Sequence, residues 1–125
     1  AADAGMVTNP NLNLSVLLAR PIVVKPDQLL ADGDVVCLGA QMLKIYHTPG
    51  HTPGGICIAL SGLLFSGDTL FAGSVGRTDL PGGDQAALEQ SLRRLVQFPG
   101  ETQVFPGHGA KTTIGREKQF NPFLK

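Results

Sequence analysis

The sequence of 125 residues contains no Trp, one Tyr, two Met and two Cys, and its ten basic residues are matched by ten acidic ones. Zero net charge without a basic run argues against nucleic acid and anionic membrane surfaces as partners. Cys37 and Cys57 stand alone with no CxxC pair, which argues against a cysteine zinc site or a dithiol redox motif. The simpler reading is two buried free thiols in a reducing, cytoplasmic setting. No apolar run approaches the ~18 residues of a membrane span, and no signal-peptide pattern is present.

Gly and Pro are abundant. Sixteen Gly and nine Pro make a fifth of the chain, against about 12% in average usage. They gather in motifs, so organised loops are expected. The first thirty residues are poorly patterned. "DVVCLG" and "QMLKIYHTP" read as strands around a turn at Gly39-Ala40, and "GGICIAL" and "GLLFSGD" as strands around Ser61-Gly62, a good two-residue hairpin signal. These last two are nearly all apolar, as strands covered on both faces tend to be. A long Gly-rich loop is expected over 72–84. "DQAALEQSLRRLVQF" is the clearest helix, with Asp84 as cap and Leu88, Leu92, Leu95 and Val96 as its apolar stripe. "TQVF" reads as a strand, and "TTIGREKQF" as a short helix capped by Thr112 or Thr113 and stopped at Asn121-Pro122.

The repeat "HTPGHTPG", His47 to Gly54, spaces two histidines as a helix would for a shared metal. Pro49 and Pro53 forbid the helix, so the two rings need not face the same way. Three stretches are built alike. "TPGHTPGG", "FSGDTLF" and "FPGHG" each set one possible metal ligand (His51, Asp68, His108) in a Gly-rich loop at a predicted strand end. Strand ends line one edge of a sheet, so the three can converge. Imidazole suits zinc or iron, and a carboxylate can bridge two ions. Singly each signal is weak, because a loop His is usually a surface or capping residue and an Asp after Gly usually a turn.

Taken in order, HTPGHTPG, LLFSGDTLF, GRTDLPGGD, VFPGHG and TTIGREKQFNPFL resemble the metallo-β-lactamase-fold hydrolases, most closely the small glyoxalase II-like branch, from about Gly33 to Lys125. The resemblance implies that His51 is a metal ligand, Asp68 bridges two metals and His108 binds the second. His47 is then structural. Arg77 in "GRTD" is a residue for an acidic substrate, or one half of a loop clamp with Asp79. The family fold is a four-layer αββα sandwich of two similar halves. Its HxHxDH motif is absent, since this sequence has three His and none is separated from another by one residue. The expectation is therefore an α/β fold in which residues 1–125 are the C-terminal half of one such domain, a mixed sheet with helices on one face, the N-terminal half being absent. The implied function is metal-dependent hydrolysis of a thioester such as a hydroxyacylglutathione. It would use two divalent metals in the parent enzyme, zinc first and iron or manganese next, with weak or no binding and little activity in this chain alone. Two other readings stay open: an iron-dependent persulfide dioxygenase, and a non-catalytic half-domain that pairs with itself as a homodimer or with the missing half.

Overall fold

The computed structural model describes residues 1–125. The apolar segments become strands β1 (Val35–Leu38), β2 (Gln41–His47), β3 (Ile56–Leu60) and β4 (Leu63–Gly67), each antiparallel to the one before. The turn between β3 and β4 puts Ser61 at φ 35° and Gly62 at φ 81°, the two left-handed residues that match the twist of a tight hairpin. The chain then makes a small hairpin, β5 (Leu70–Phe71) and β6 (Ser74–Val75), whose turn and second strand fall in the region 72–84 expected to be a loop. Helix α2 (Gln85–Leu95) follows, and strand β7 (Gln103–Pro106) returns parallel to β4. Strand β8 (Thr112–Thr113) and helix α3 (Ile114–Phe120) complete a six-stranded mixed sheet in the order β1-β2-β3-β4-β7-β8. A short helix, α1 (Ala4–Thr8), lies in the N-terminal segment whose sequence carries no clear pattern.

The Asp84 carboxylate caps α2 by accepting the Ala87 N–H at 2.9 Å, and Arg93 and Arg94 fill its last turn, where cations oppose the helix dipole. Leu88, Leu92 and Leu95 of α2 and Ile114 of α3 are buried against Cys57, Leu64 and Val104 on one sheet face. Each such side chain stabilises the fold by roughly 1.5–3 kcal/mol on burial. Both helices thus cover one face of a mixed sheet, the α/β layer that the sequence led us to expect.

The other face has no helix on it, as expected of a sheet with helices on one face only. Cross-strand partners share a face, so Ile45, Ile58, Phe65 and Phe105 form a row across β2, β3, β4 and β7. Ile45 is buried, but Phe65 is 41% exposed, stacked only on Phe105 with ring centroids 5.6 Å apart. No helix packs over this row. Cys37 is a correction: it is exposed on edge strand β1, whereas Cys57 is buried as expected. No helix is long and apolar enough to cross a membrane.

Candidate metal centre

Topology brings Asp68 and His108 together. β4 and β7 are parallel neighbours with Gly67 opposite Pro106, and the Gly107 N–H continues the ladder to the Gly67 carbonyl at 2.8 Å. The next residues out of the two strands are therefore adjacent. Asp68 Oδ1 lies 3.3 Å from His108 Nδ1. A Cβ at Gly107 would come within 2.5 Å of Asp68 Oδ1, so a side chain there would displace the carboxylate.

His51 reaches the same edge by another route. β2 and β4 both run antiparallel to β3, so their C-terminal ends point the same way. The loop leaving β2 is closed by Thr48 N–H to the Gly55 carbonyl at 2.8 Å. It is fastened to α2 through the Ser91 hydroxyl, which donates to the Pro49 carbonyl at 2.7 Å. Asp3 fastens its far side, accepting from the Thr52 hydroxyl and the Gly54 N–H, both at 2.6 Å. Beneath the loop, Thr48 Oγ1 meets Thr69 Oγ1 at 3.3 Å and Cys57 Sγ at 3.3 Å, a buried bridge between the His51 loop and the residue after Asp68.

His51 Nδ1 lies 2.8 Å from the Arg77 carbonyl. A carbonyl can only accept, so Nδ1 carries the proton and Nε2 keeps its lone pair for a metal. That nitrogen faces Asp68 Oδ2 at 3.8 Å, too far for a hydrogen bond. The carboxylate therefore presents one oxygen to each imidazole. Two ligand bonds of ~2.0–2.2 Å at a tetrahedral angle span ~3.4 Å, so the separations of 3.8 and 3.3 Å suit an ion on either side of Asp68. No three His, Cys, Asp or Glu side chains converge on a single point. Each position thus has two donors from this chain, one fewer than the three protein ligands of a usual catalytic zinc. His47 stands apart, its Nε2–H donating to the Pro53 carbonyl at 2.9 Å.

The family model of the metallo-beta-lactamase superfamily matches residues 4–108. The chain belongs to that superfamily. It is 43% identical over 96 residues to the hydroxyacylglutathione hydrolase GloC of Haemophilus influenzae, an alignment covering 74% of this chain and 45% of that protein. The crystal structure of the B3 metallo-beta-lactamase BLEG-1 superposes with a TM-score of 0.89 at 41% identity, covering 98% of this chain and 61% of that one. TTHA1623, solved in a di-iron-bound form, gives a TM-score of 0.79 at 42% identity over 92% of this chain and 59% of its own. This chain thus spans about half to three-fifths of the length of these relatives.

Within this superfamily chain, His51, Asp68, Phe71, Arg77 and His108 line a cavity of about 420 Å³. The Phe71 ring lies on His108 with centroids 4.3 Å apart, while its neighbour Leu70 is core. Of the two roles read for Arg77, the structure shows the clamp: Nε and Nη2 bind the two Asp79 oxygens at 2.7 Å each. The guanidinium holds the Asp79 carboxyl down at about 2. The orienting role of the Arg77 carbonyl had no sequence signal, since any residue supplies a carbonyl. Asp3 was equally hidden, lying 49 residues from Thr52.

Proposed function

We propose that His51 and Asp68 hold one divalent metal, that Asp68 and His108 hold a second, and that the chain is part of a thioester hydrolase of the glyoxalase II-like type. A hydroxyacylglutathione is the substrate named by the Haemophilus relative. The observation that carries the metal reading is the Asp68 carboxylate, one oxygen towards each imidazole. When bound, such ions supply Lewis acidity and activate water. The chain's own part is to fix the ligands. The Arg77 carbonyl sets the His51 tautomer, and Phe71 supports the His108 ring. Zinc is the first choice of metal, and the di-iron neighbour keeps iron in view.

With two donors per ion, the chain alone should bind metal weakly and hydrolyse S-lactoylglutathione hardly above background. Cobalt(II) titration followed by absorbance tests the ligand set. Asp68→Ala should lose uptake at both positions, His51→Ala and His108→Ala at one each, and His47→Ala at neither. Equal uptake by all four variants would overturn the assignment. The substrate reading is tested by mixing the chain with a polypeptide carrying the N-terminal half of the Haemophilus relative. Zinc-dependent turnover of S-lactoylglutathione supports it. A metal-loaded complex without turnover would overturn it, and strong turnover by this chain alone would refute the incomplete site.

A further inference from the structure

The metal reading leaves unused a carboxylate in the heart of the C-terminal motif. Glu117 of α3 is 1% exposed and touches no cation. It accepts three hydrogen bonds: from the Thr112 hydroxyl, from the Gly73 N–H at 2.8 Å and from the Asn121 side-chain amide at 2.8 Å. Asn121 is fully buried, and the same amide group also donates to the Ser74 carbonyl at 3.0 Å. Burying a carboxylate is costly unless its lone pairs are filled, so this arrangement has to be constructed as a unit. Two of the groups it grips, Gly73 and Ser74, belong to the tip of the β5–β6 hairpin. That hairpin carries Phe71, which lies on His108, and with Ser74 and Val75 it walls the candidate metal cavity.

We propose that Glu117 and Asn121 are positioning residues. Together they clamp the β5–β6 hairpin to α3, and through Phe71 they hold the His108 ring at the angle from which it faces Asp68. The hairpin has only two residues in each strand, too few to hold its own shape. Its backbone is therefore fixed from outside: at the base by buried Leu70, whose carbonyl accepts from the Ser66 hydroxyl at 2.7 Å, and at the tip by the buried pair. The mechanical claim stands on the metal-free chain. Its consequence for a metal ligand rests on the proposed centre.

The test is nuclear magnetic resonance on the metal-free chain, so a failure of metal binding leaves its result untouched. Asn121→Ser keeps an oxygen to cap the following turn at Phe123 but removes the amide donors. Glu117→Gln is the conservative variant. Its oxygen can accept from Gly73 and Asn121 while its amide donates to a Thr112 hydroxyl turned round. Leu95→Ala loosens the same core from α2 while leaving every hairpin residue and the buried pair in place. In Asn121→Ser the Gly73 amide should exchange about tenfold faster, and the His108 ring protons should lose the ring-current shift of Phe71. Glu117→Gln should keep both signals close to those of the unsubstituted chain, and Leu95→Ala should leave the His108 shift unchanged. An unchanged His108 ring in Asn121→Ser, or an equal change in Leu95→Ala, would overturn the proposal. Complete unfolding of Asn121→Ser alongside a folded Leu95→Ala would also overturn it, by making the pair part of the core.

Discussion

Replacing Thr48 by Val keeps the shape of the side chain and deletes one hydroxyl from the bridge under the candidate site. Thr48 is fully buried and Thr69 is 3% exposed, so water cannot take the place of a lost partner. The Thr69 hydroxyl meets Thr48 Oγ1 at 3.3 Å and stands by the Cys57 thiol, which Thr48 Oγ1 meets directly at 3.3 Å. Thr48→Val therefore leaves a buried hydroxyl without its oxygen partner, at ~1–3 kcal/mol. Thr69→Val leaves Thr48 its thiol contact and should cost the net worth of one hydrogen bond, ~0.5–1.5 kcal/mol. The double variant removes donor and acceptor together, so its loss should fall short of the sum of the singles by ~1 kcal/mol. Urea denaturation of the four proteins gives this cycle directly. Cobalt(II) uptake measured beside it shows whether the bridge also sets the distance between the His51 and Asp68 loops. If the two single losses add to within ~0.3–0.5 kcal/mol, or if Thr69→Val is the more costly, the bridge is not the coupled unit described.

The two thiols should separate cleanly. Cys37 is exposed and Cys57 buried, with burial pushing the Cys57 thiol up, so one equivalent of a thiol reagent should react at once and the second only on unfolding; two fast equivalents would contradict the burial. Stability should fall in acid. Asp32 is held below its ordinary 3.8 by the Arg94 guanidinium and the His47 N–H, and Asp79 is held at about 2 by Arg77. Carboxyls lowered in the fold contribute fully above the unfolded value and lose that contribution as pH drops through the folded one. The urea midpoint should therefore decline below about pH 4, and Asp32→Asn should flatten that decline; a midpoint independent of pH down to about 2 would refute it. The apolar row exposed at Phe65 should drive concentration-dependent association into a homodimer, measured by sedimentation equilibrium and weakened by Phe65→Lys; a monomer at all concentrations, with a melting temperature unchanged on dilution, would count against it.

Most of the sheet could be read from local rules. Alternation gave β2, the Ser61-Gly62 turn gave the β3–β4 hairpin, and the Asp84 cap with its leucine stripe gave α2, because each depends on neighbours in sequence. The β5–β6 hairpin escaped. Its strands are two residues long, and the side chains that hold its tip, Glu117 and Asn121, are more than forty residues away. The N-terminal segment escaped for the same reason, its Asp3 being ordered by contacts with Thr52 and Gly54. The exposure of Cys37 was missed because a strand sequence does not say whether the strand lies at the edge. At the site, chemistry-bearing side chains could be picked out by motif, while the groups that aim them are carbonyls and hydroxyls that motifs do not distinguish.

The order of the strands explains why the three motif residues can be far apart in sequence and still meet. Two reversals, one through the His51 loop and one at the tight Ser61-Gly62 turn, return the chain to its starting direction, so β2 and β4 end on one edge. The crossover through α2 then returns β7 parallel to β4, ending there as well. Each strand delivers one loop, and each loop begins where backbone pairing ceases. The sheet thereby sets the loops' origins, but it leaves the side chains free to point anywhere within a few ångströms. Polar contacts from elsewhere remove that freedom: Ser91 and Asp3 on the His51 loop, the Arg77 carbonyl on its ring, Thr48 with Thr69 beneath Asp68. A substitution in the sheet core should therefore lower stability with little change in the His51–Asp68 geometry. Loss of one of these contacts should change that geometry at a smaller cost in stability than a core truncation of ~2–5 kcal/mol.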